Sequence, residues 1–176
     1  MDTLDSLKRL GYSATVAIAL FGTSLLARAS DIPAPTGSSP QILVDRAAAP
    51  IHSEDDLYRY TTLTPKAQSP LSLLSPQGQK RFLSSLKFND NGLVGFNYAD
   101  LRNELTPVQI YQVLSLFGAQ RLAAVVAGPK TGPTEADSAL GLVKPAEGVG
   151  DDYEGYACLH PHTCSKSIND ICMRGC

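Results

Sequence analysis

The 176-residue sequence predicts a mainly α-helical protein with a disulfide-rich C-terminal tail. Helix-start signals recur in the middle of the chain, between residues 55 and 127. All four cysteines lie between Cys158 and the C-terminus. Two stretches rich in Pro, Ala, Ser and Gly flank the middle segment, which is typical of linkers. We therefore expect one small helical domain, joined by flexible segments to an export signal and to a cysteine tail.

Residues 1–29 have the pattern of a secretory signal peptide. Lys8 and Arg9 precede an uncharged apolar run over residues 14–26, and Ala27-Arg28-Ala29 supplies the small residues that signal peptidase reads. A helix of that run spans about 20 Å, short of a bilayer core of about 30 Å. We expect cleavage after Ala29, a secreted or periplasmic product, and no stable membrane span after cleavage.

The charge of the mature chain gives no reason to expect a nucleic-acid partner. Of 15 Lys and Arg and 17 Asp and Glu, the signal peptide removes three and two, leaving 12 against 15 and a net charge of −3. A value of this size is ordinary for a soluble protein, and binding to nucleic acid favours a strongly basic surface.

Residues 30–54 and 128–155 are predicted to be flexible linkers. The first is dominated by Pro, Ala and Ser, and the second by Gly and Pro around a short apolar patch, residues 140–143. Such compositions bury too little apolar surface to offset the entropy of ordering the chain. The acidic residues Asp151, Asp152 and Glu154 fall in the second linker. They are interpreted as solvated side chains in preference to a loose calcium site.

The helical domain, residues 55–127, has its clearest start at Thr106-Pro107. Thr106 is the predicted cap, Pro107 suits the first helical position, and Gln109 completes a capping box. Leu105 and Ile110 stand where a hydrophobic staple is expected. The apolar pattern continues past Gly118, which is predicted to end this helix in a left-handed conformation or to lie within it.

Further helix-start and turn signals before residue 105 predict shorter elements. Asn97 is the predicted cap of a helix over residues 98–105, and Ser75-Pro76 opens an earlier one. Ser69-Pro70 and Thr64-Pro65 are compatible with tight turns before it. Asn89-Asp90-Asn91-Gly92 is a turn cluster, so a short strand or a hairpin is compatible with residues 88–96.

The tail, residues 156–176, is predicted to be closed by two disulfides among Cys158, Cys164, Cys172 and Cys176. An even cysteine count in an exported chain favours disulfides. Three connectivities are possible. Bridges that join the earlier pair to the later pair are favoured because they close the longer loops. Ser167-x-x-Asp170 further predicts a capping box and a short helix containing Cys172.

A metal site is the alternative interpretation of the tail. Cys158, His160, His162 and Cys164 could supply four ligands to a tetrahedral ion. The cysteine spacing matches no specific zinc pattern, and disulfides would remove the thiolates. The expected cofactor set is therefore empty.

Nothing in the sequence specifies catalysis. The three histidines, His52, His160 and His162, stand in no motif that pairs them with a nucleophile, and the common hydrolase, metalloprotease and nucleotide-binding motifs are missing. The sequence favours an exported, non-enzymatic binding or adaptor protein of the envelope or extracellular space, with another protein as partner. The alternatives are a metal-binding protein or enzyme with its site in the Cys/His tail, and a secreted effector or an inhibitor of the immunity type.

Overall fold

A computed structural model of the chain describes residues 40–128, 152–160 and 163–176, with only the backbone of His160. These residues belong to one compact unit. They form six α-helices and a four-stranded antiparallel sheet. The expected mainly α fold is therefore corrected to an α/β fold. The predicted signal peptide 1–29 and its cleavage site lie outside the described residues.

The order of elements along the chain begins with helices and ends with strands. The helices are α1 (Pro40–Ala48), α2 (Glu54–Leu63), α3 (Pro76–Ser85), α4 (Ala99–Glu104), α5 (Pro107–Ser115) and α6 (Ala123–Ala127). Three 3-10 turns cover Lys66–Gln68, Pro70–Leu73 and Gln120–Leu122. The strands are β1 (Lys87–Asn89), β2 (Gly92–Asn97), β3 (Tyr153–His160) and β4 (Thr163–Cys172), in the spatial order β1-β2-β4-β3.

The start of α5 is as predicted. The backbone N–H of Gln109 donates to the Thr106 hydroxyl at 3.4 Å, and the Thr106 N–H donates to the Gln109 side chain at 2.9 Å. Leu105 and Ile110 are both buried. Ser75 likewise caps α3, accepting from the Gly78 N–H at 3.0 Å. These short-range hydrogen bonds satisfy N–H groups that have no partner within the helix.

The start of α4 differs by one residue from the predicted one. Tyr98 occupies the cap position, and the Asn97 side chain accepts a hydrogen bond from the Ala99 N–H at 3.0 Å. Asp100, the expected capping-box partner, instead forms a two-pronged ion pair with Arg81. Asn97 thus stabilises the turn into the helix without acting as its cap.

The turn cluster before β2 forms a hairpin. Asn91 N–H donates to the Asn89 side chain at 2.9 Å, and Gly92 has a φ of 97°. That left-handed conformation is one that glycine adopts without strain. Of the two structures that the sequence allowed near residues 88–96, the hairpin is the one observed.

The main core lies between the helices and one face of the sheet. Phe82 of α3 is at its centre, with edge-to-face contacts to Phe96 and Phe117 at ring-centroid distances of 6.1 and 6.0 Å. This geometry suits the aromatic quadrupoles. All three rings are at most 2% exposed.

Neighbouring residue pairs of β2 and β4 lie on opposite faces of the sheet. Phe96 pairs with Ile171, and both belong to the helical core. The next pair, Gly95 and Cys172, faces the opposite side, because successive side chains of a strand alternate. Cys172 there belongs to a second buried cluster with Val94 and Cys176.

The predicted flexible linker 30–54 is wrong from residue 40 onward. Residues 40–48 form α1, Ile42 is buried, and Ile51 is fully buried with its N–H bonded to the Leu116 carbonyl at 3.1 Å. The prediction of a linker was based on a composition rich in Pro and Ala, which does not show that the few large apolar residues of the segment are buried. Residues 30–39 lie outside the described residues.

The C-terminal assignments are also corrected. The tail 156–176 does not form a module of its own, because β4 pairs with β2 in the sheet of the main domain. Within the predicted linker 128–155, residues 153–155 belong to β3. Residues 129–151 lie outside the described residues.

Gly118 packs closely against the backbone of α1, the helix that the sequence analysis did not predict. Its φ is 67°, and an added Cβ would lie 2.7 Å from the Arg46 Cα of α1. We expect Gly118→Ala to lower the free energy of unfolding by more than about 2 kcal/mol, because the side chain strains the backbone and displaces α1. Chemical denaturation measures the loss.

Gly155→Ala is the matched control. Gly155 also has a positive φ, 80°, but the nearest atom to an added Cβ is 3.8 Å away. This variant should show only the backbone cost, about 1 kcal/mol. Equal losses in the two variants would contradict the proposed packing of α1 against Gly118.

Candidate functional site: a disulfide-clamped ribbon

Strands β3 and β4 form a bent two-stranded ribbon, which we define as residues 153–160 and 163–172. At its base Tyr153 pairs with Cys172 and Glu154 with Ile171, and towards its tip Cys158 pairs with Cys164. Between these stretches, Gly155 on β3 opposes residues 167–170 on β4. Such a bulge bends the pair of strands.

The bulge occupies the place where the sequence predicted a short helix. Asn169 has a φ of 61°, which short polar side chains tolerate better than others. The Ser167 hydroxyl donates to the Asp170 carboxylate, a bond between side chains in place of the side chain–backbone bonds of the predicted capping box. It closes the bulge instead of starting a helix, because β4 continues through both residues.

The two predicted disulfides are present. They join Cys158 to Cys176 and Cys164 to Cys172, so each links the earlier pair to the later one, as the loop-length argument favoured. Cys172 is fully buried and Cys176 is 6% exposed. The described cysteines include no free thiol.

The outer part of the ribbon bends back over the face of the sheet opposite the helical core, and Gly95 makes this approach possible. A Cβ at Gly95 would come within 3.1 Å of the Cys158 Cβ and of the Ile171 carbonyl. Only a residue without a side chain leaves that space unfilled. Cys158 therefore packs directly against the backbone of β2.

A buried ion pair anchors the base of the ribbon. The Asp152 carboxylate, 3% exposed, accepts from the Arg121 guanidinium at 2.6 Å and from the Arg174 N–H at 2.8 Å. The Arg46 side chain joins this junction through a bond to the Arg174 carbonyl at 3.1 Å. Burial, together with the charges of Arg121 and Arg174, lowers the pKa of Arg46, and Asp152 opposes that shift.

A second anchor is formed by Glu154. It accepts from the Tyr98 hydroxyl and from Arg102, both at 3.0 Å. The Arg102 guanidinium also lies 4.4 Å above the Tyr98 ring and donates to the Val126 carbonyl at 2.7 Å. Burial, and then the Glu154 hydrogen bond, raise the pKa of Tyr98. Asp152 and Glu154 are thus ribbon anchors, in contrast to the solvated linker carboxylates that the sequence suggested.

Apolar side chains are exposed on this anchored ribbon. Tyr153 is 55% exposed, Leu159 is 57% exposed and Ile168, on the bulge, is 84% exposed. The backbone that carries Ile168 is fixed: its carbonyl accepts from the Asn97 side chain at 3.3 Å, and the Asn169 carbonyl accepts from the Tyr98 N–H at 2.7 Å. The ribbon therefore presents apolar groups to solvent from a fixed backbone.

The two cysteines of the candidate metal site take part in different disulfides. Cys158 and Cys164 are opposite each other, but each is bonded to a different partner and offers no thiolate in this oxidised form. The side chain of His160 and all of His162 lie outside the described residues. The four-ligand site was the alternative interpretation of the tail, and the described residues do not test it.

The one histidine whose side chain is described, His52, has a structural role. Its Nε2 lies 2.7 Å from the Arg46 carbonyl, and its Nδ1 is 4.0 Å from the Asp56 carboxylate. The neighbouring Ser53 caps α2 through the Asp56 N–H. A hydrogen bond from Ser53 to Asp56 lowers the pKa of that carboxyl, with a smaller contribution from the His52 N–H. These contacts hold the start of α2 and activate no nucleophile.

Sequence reasoning missed Gly95, Arg121 and Ile168 as parts of the site. Gly95 and Arg121 act through contacts with residues far along the chain, which no local pattern reports. Ile168 left a weak local signal, since it is a lone apolar residue within the polar stretch Lys166-Ser167-Ile168-Asn169-Asp170.

Comparison of the chain with protein-family models, with curated proteins and with solved structures gives no match. No helix in the described part of the chain combines the length and the apolar character that crossing a membrane requires. The function is therefore inferred from the geometry of the ribbon.

The ion pair at the ribbon base yields a stability prediction. Asp152→Asn leaves the buried Arg121 without its carboxylate, so we expect the free energy of unfolding to fall by about 3–5 kcal/mol. Asp100→Asn is the control, because its partner Arg81 is 63% exposed and stays solvated. Urea denaturation should show a clearly smaller loss for the control, and equal losses would contradict the role given to Asp152.

The disulfides yield a second prediction. The free energy of unfolding should fall by about 3 kcal/mol in the double variant Cys158→Ser/Cys176→Ser. Without this disulfide the unfolded chain gains conformational entropy, because the bridge closes a loop with a sequence separation of 18 residues. Hydrogen exchange should rise at residues 156–166, whereas α5 stays protected because its buried residues belong to the helical core. An equal rise in α5 would show that the disulfide is needed for the whole fold.

Proposed function

We propose that this chain is an exported, non-enzymatic binding protein that recognises another protein through its disulfide-clamped ribbon. The observation that carries the proposal is Ile168, an aliphatic side chain that is 84% exposed on a backbone fixed by Asn97 and Tyr98. Large apolar groups on a fixed backbone bind at low entropic cost, because little must be ordered on association.

The chemistry of the ribbon supports a role outside the cytosol. Both of its cysteine pairs are oxidised, and disulfides persist in oxidising compartments such as the periplasm and the extracellular space. The predicted signal peptide leads to the same proposal. We infer that the product acts in the envelope or beyond it.

The pairing of the ribbon with the main domain bears on the number of recognition surfaces. The sequence suggested two tethered pieces that reach separate partners, but the strand pairing of β2 with β4 makes the ribbon part of the domain. We therefore propose a recognition surface on the ribbon that is centred on Ile168, with Tyr153 and Leu159 as further exposed apolar groups of the same ribbon. The helical core serves to hold it.

Site-specific photo-crosslinking in the native producer tests the proposal. A benzophenone amino acid at position 168 should give one adduct of defined mass in the envelope or secreted fraction. The control position is Leu63, which is 78% exposed at the end of α2 and remote in sequence from the ribbon. An adduct at both positions, or at neither, would contradict recognition through the ribbon.

Affinity for the purified partner provides the quantitative test. Ile168→Asp should weaken binding at least about tenfold, as expected for a central apolar contact. Leu63→Asp should change it by less than about twofold. A similar affinity for the two variants would exclude Ile168 from the interface.

A further inference from the structure

The sulfur atoms of the two disulfides lie close together on the free face of the sheet. The Sγ atoms of Cys158, Cys172 and Cys176 are all within 4.8 Å of one another. Cys164 is bonded to Cys172, so its sulfur adjoins this group, but it lies more than 4.8 Å from at least one of the other sulfurs. Three sulfurs from two separate bridges thus share one small volume, and the fourth lies at its edge.

This spacing resembles that of a four-thiolate metal site. Zinc binds thiolate sulfur at about 2.3 Å in tetrahedral geometry, which places neighbouring sulfurs about 3.8 Å apart. The Cys172 Sγ lies within 4.8 Å of the Sγ atoms of Cys158 and Cys176, which belong to the other bridge. After reduction the two bonded pairs must open and the Cys164 Sγ must move towards the other bridge, and rotation about the Cα–Cβ bonds can supply both movements.

We propose that the reduced form of this protein binds one zinc-class divalent cation through Cys158, Cys164, Cys172 and Cys176. A dithiol reductant supplies two electrons and two protons to each disulfide and is itself oxidised to a disulfide. The four resulting thiols release their protons to solvent as their thiolates bind the cation. The site shares Cys158 and Cys164 with the Cys/His set that the sequence suggested, and has Cys172 and Cys176 in place of the two histidines.

The framework that positions the sulfurs does not depend on the disulfides alone. Cys172 is held opposite Gly95 by the strand pairing of β2 with β4. The Met173 N–H donates to the Val94 carbonyl at 2.8 Å, and the Cys176 N–H donates to the Met173 carbonyl at 3.0 Å. Two of the four ligands therefore keep backbone supports after reduction.

The other two ligands lie on the ribbon, which has its own anchors. Asp152 and Glu154 hold its base through Arg121 and Arg102. Cys158 and Cys164 lie opposite each other as a cross-strand pair. The metal would then join the ribbon to the sheet at the place where the disulfides join them in the oxidised form. This inference concerns the reduced form and is independent of partner recognition by the oxidised one.

Anaerobic titration of the reduced mature chain with Co²⁺, followed by Zn²⁺, tests the proposal. One equivalent of Co²⁺ should bind with tetrahedral visible bands and an intense sulfur-to-cobalt absorption, and Zn²⁺ should displace it. The intensity of that absorption reports the number of thiolates, so it identifies the ligand set even where a serine variant fails to fold. Failure to bind at micromolar concentration would overturn the proposal.

Variants separate the two possible ligand sets. Cys172→Ser should weaken Co²⁺ binding at least tenfold, whereas the double variant His160→Gln/His162→Gln should leave the stoichiometry and the spectrum unchanged. Loss of binding in the histidine variant, with normal binding in Cys172→Ser, would overturn the four-thiolate assignment. Zinc should also restore slow amide exchange at residues 156–166 of the reduced chain. Binding without that protection would indicate an unfolded tail and would overturn a site built by the fold.

Discussion

The pairing of β2 with β4 is the constraint on which the rest of the structure depends. Three residue pairs, from Gly95↔Cys172 to Asn97↔Asp170, join the middle of the chain to its C-terminus. They place Ile171 in the helical core and Cys172 on the opposite face, because neighbouring residues of a strand point to opposite sides. One short contact thus completes the large core and creates the surface on which the ribbon packs.

The electrostatic anchors explain why the ribbon keeps one orientation on that surface. A buried charge is tolerated when its partner and its remaining hydrogen bonds are supplied. Asp152 obtains both from Arg121 and from the Arg174 N–H, which belong to different parts of the chain. Rotating the base of the ribbon would break both contacts. The bend at Gly155 and Asn169 then directs the strands back over Gly95.

The sequence predicted local features well and long-range ones poorly. The starts of α3 and α5 depend on side chains within three residues of the cap, so the pattern at Ser75 and Thr106 sufficed. Asn97 and Ser167 show the limit of that reasoning. Each has the residues of a capping motif, but each lies in a strand of the sheet. Asn97 stabilises the turn into α4, and Ser167 forms part of the bulge in β4. The tertiary context decides between such local alternatives.

The dependence of strands on tertiary context also explains why the sequence analysis predicted a mainly α fold in place of an α/β fold. A strand such as β4, with Ser, Lys, Asn and Asp among its residues, has no apolar alternation that would reveal it, and it becomes a strand because β2 and β3 flank it. The segment around Ile42 and Ile51 shows the converse error, since its composition suggested disorder. Ile51 is buried in the helical core, and Ile42 of α1 is buried as well.

The two buried clusters differ in what holds them together, and this difference connects the structure to its redox chemistry. The helical core contains buried aromatic and aliphatic side chains from α3 to α6 and from the sheet, so apolar burial is its main source of cohesion. The cluster beneath the ribbon contains only Val94, Cys172 and Cys176 as fully buried members. So little apolar surface cannot hold the outer part of the ribbon alone, and covalent bonds between the sulfurs add to the ion pairs and the strand pairing that hold its base. We therefore expect the oxidation state of the cysteines to act mainly on the outer part of the ribbon, with Leu159, whereas the bulge at Ile168 keeps its backbone contacts with Asn97 and Tyr98.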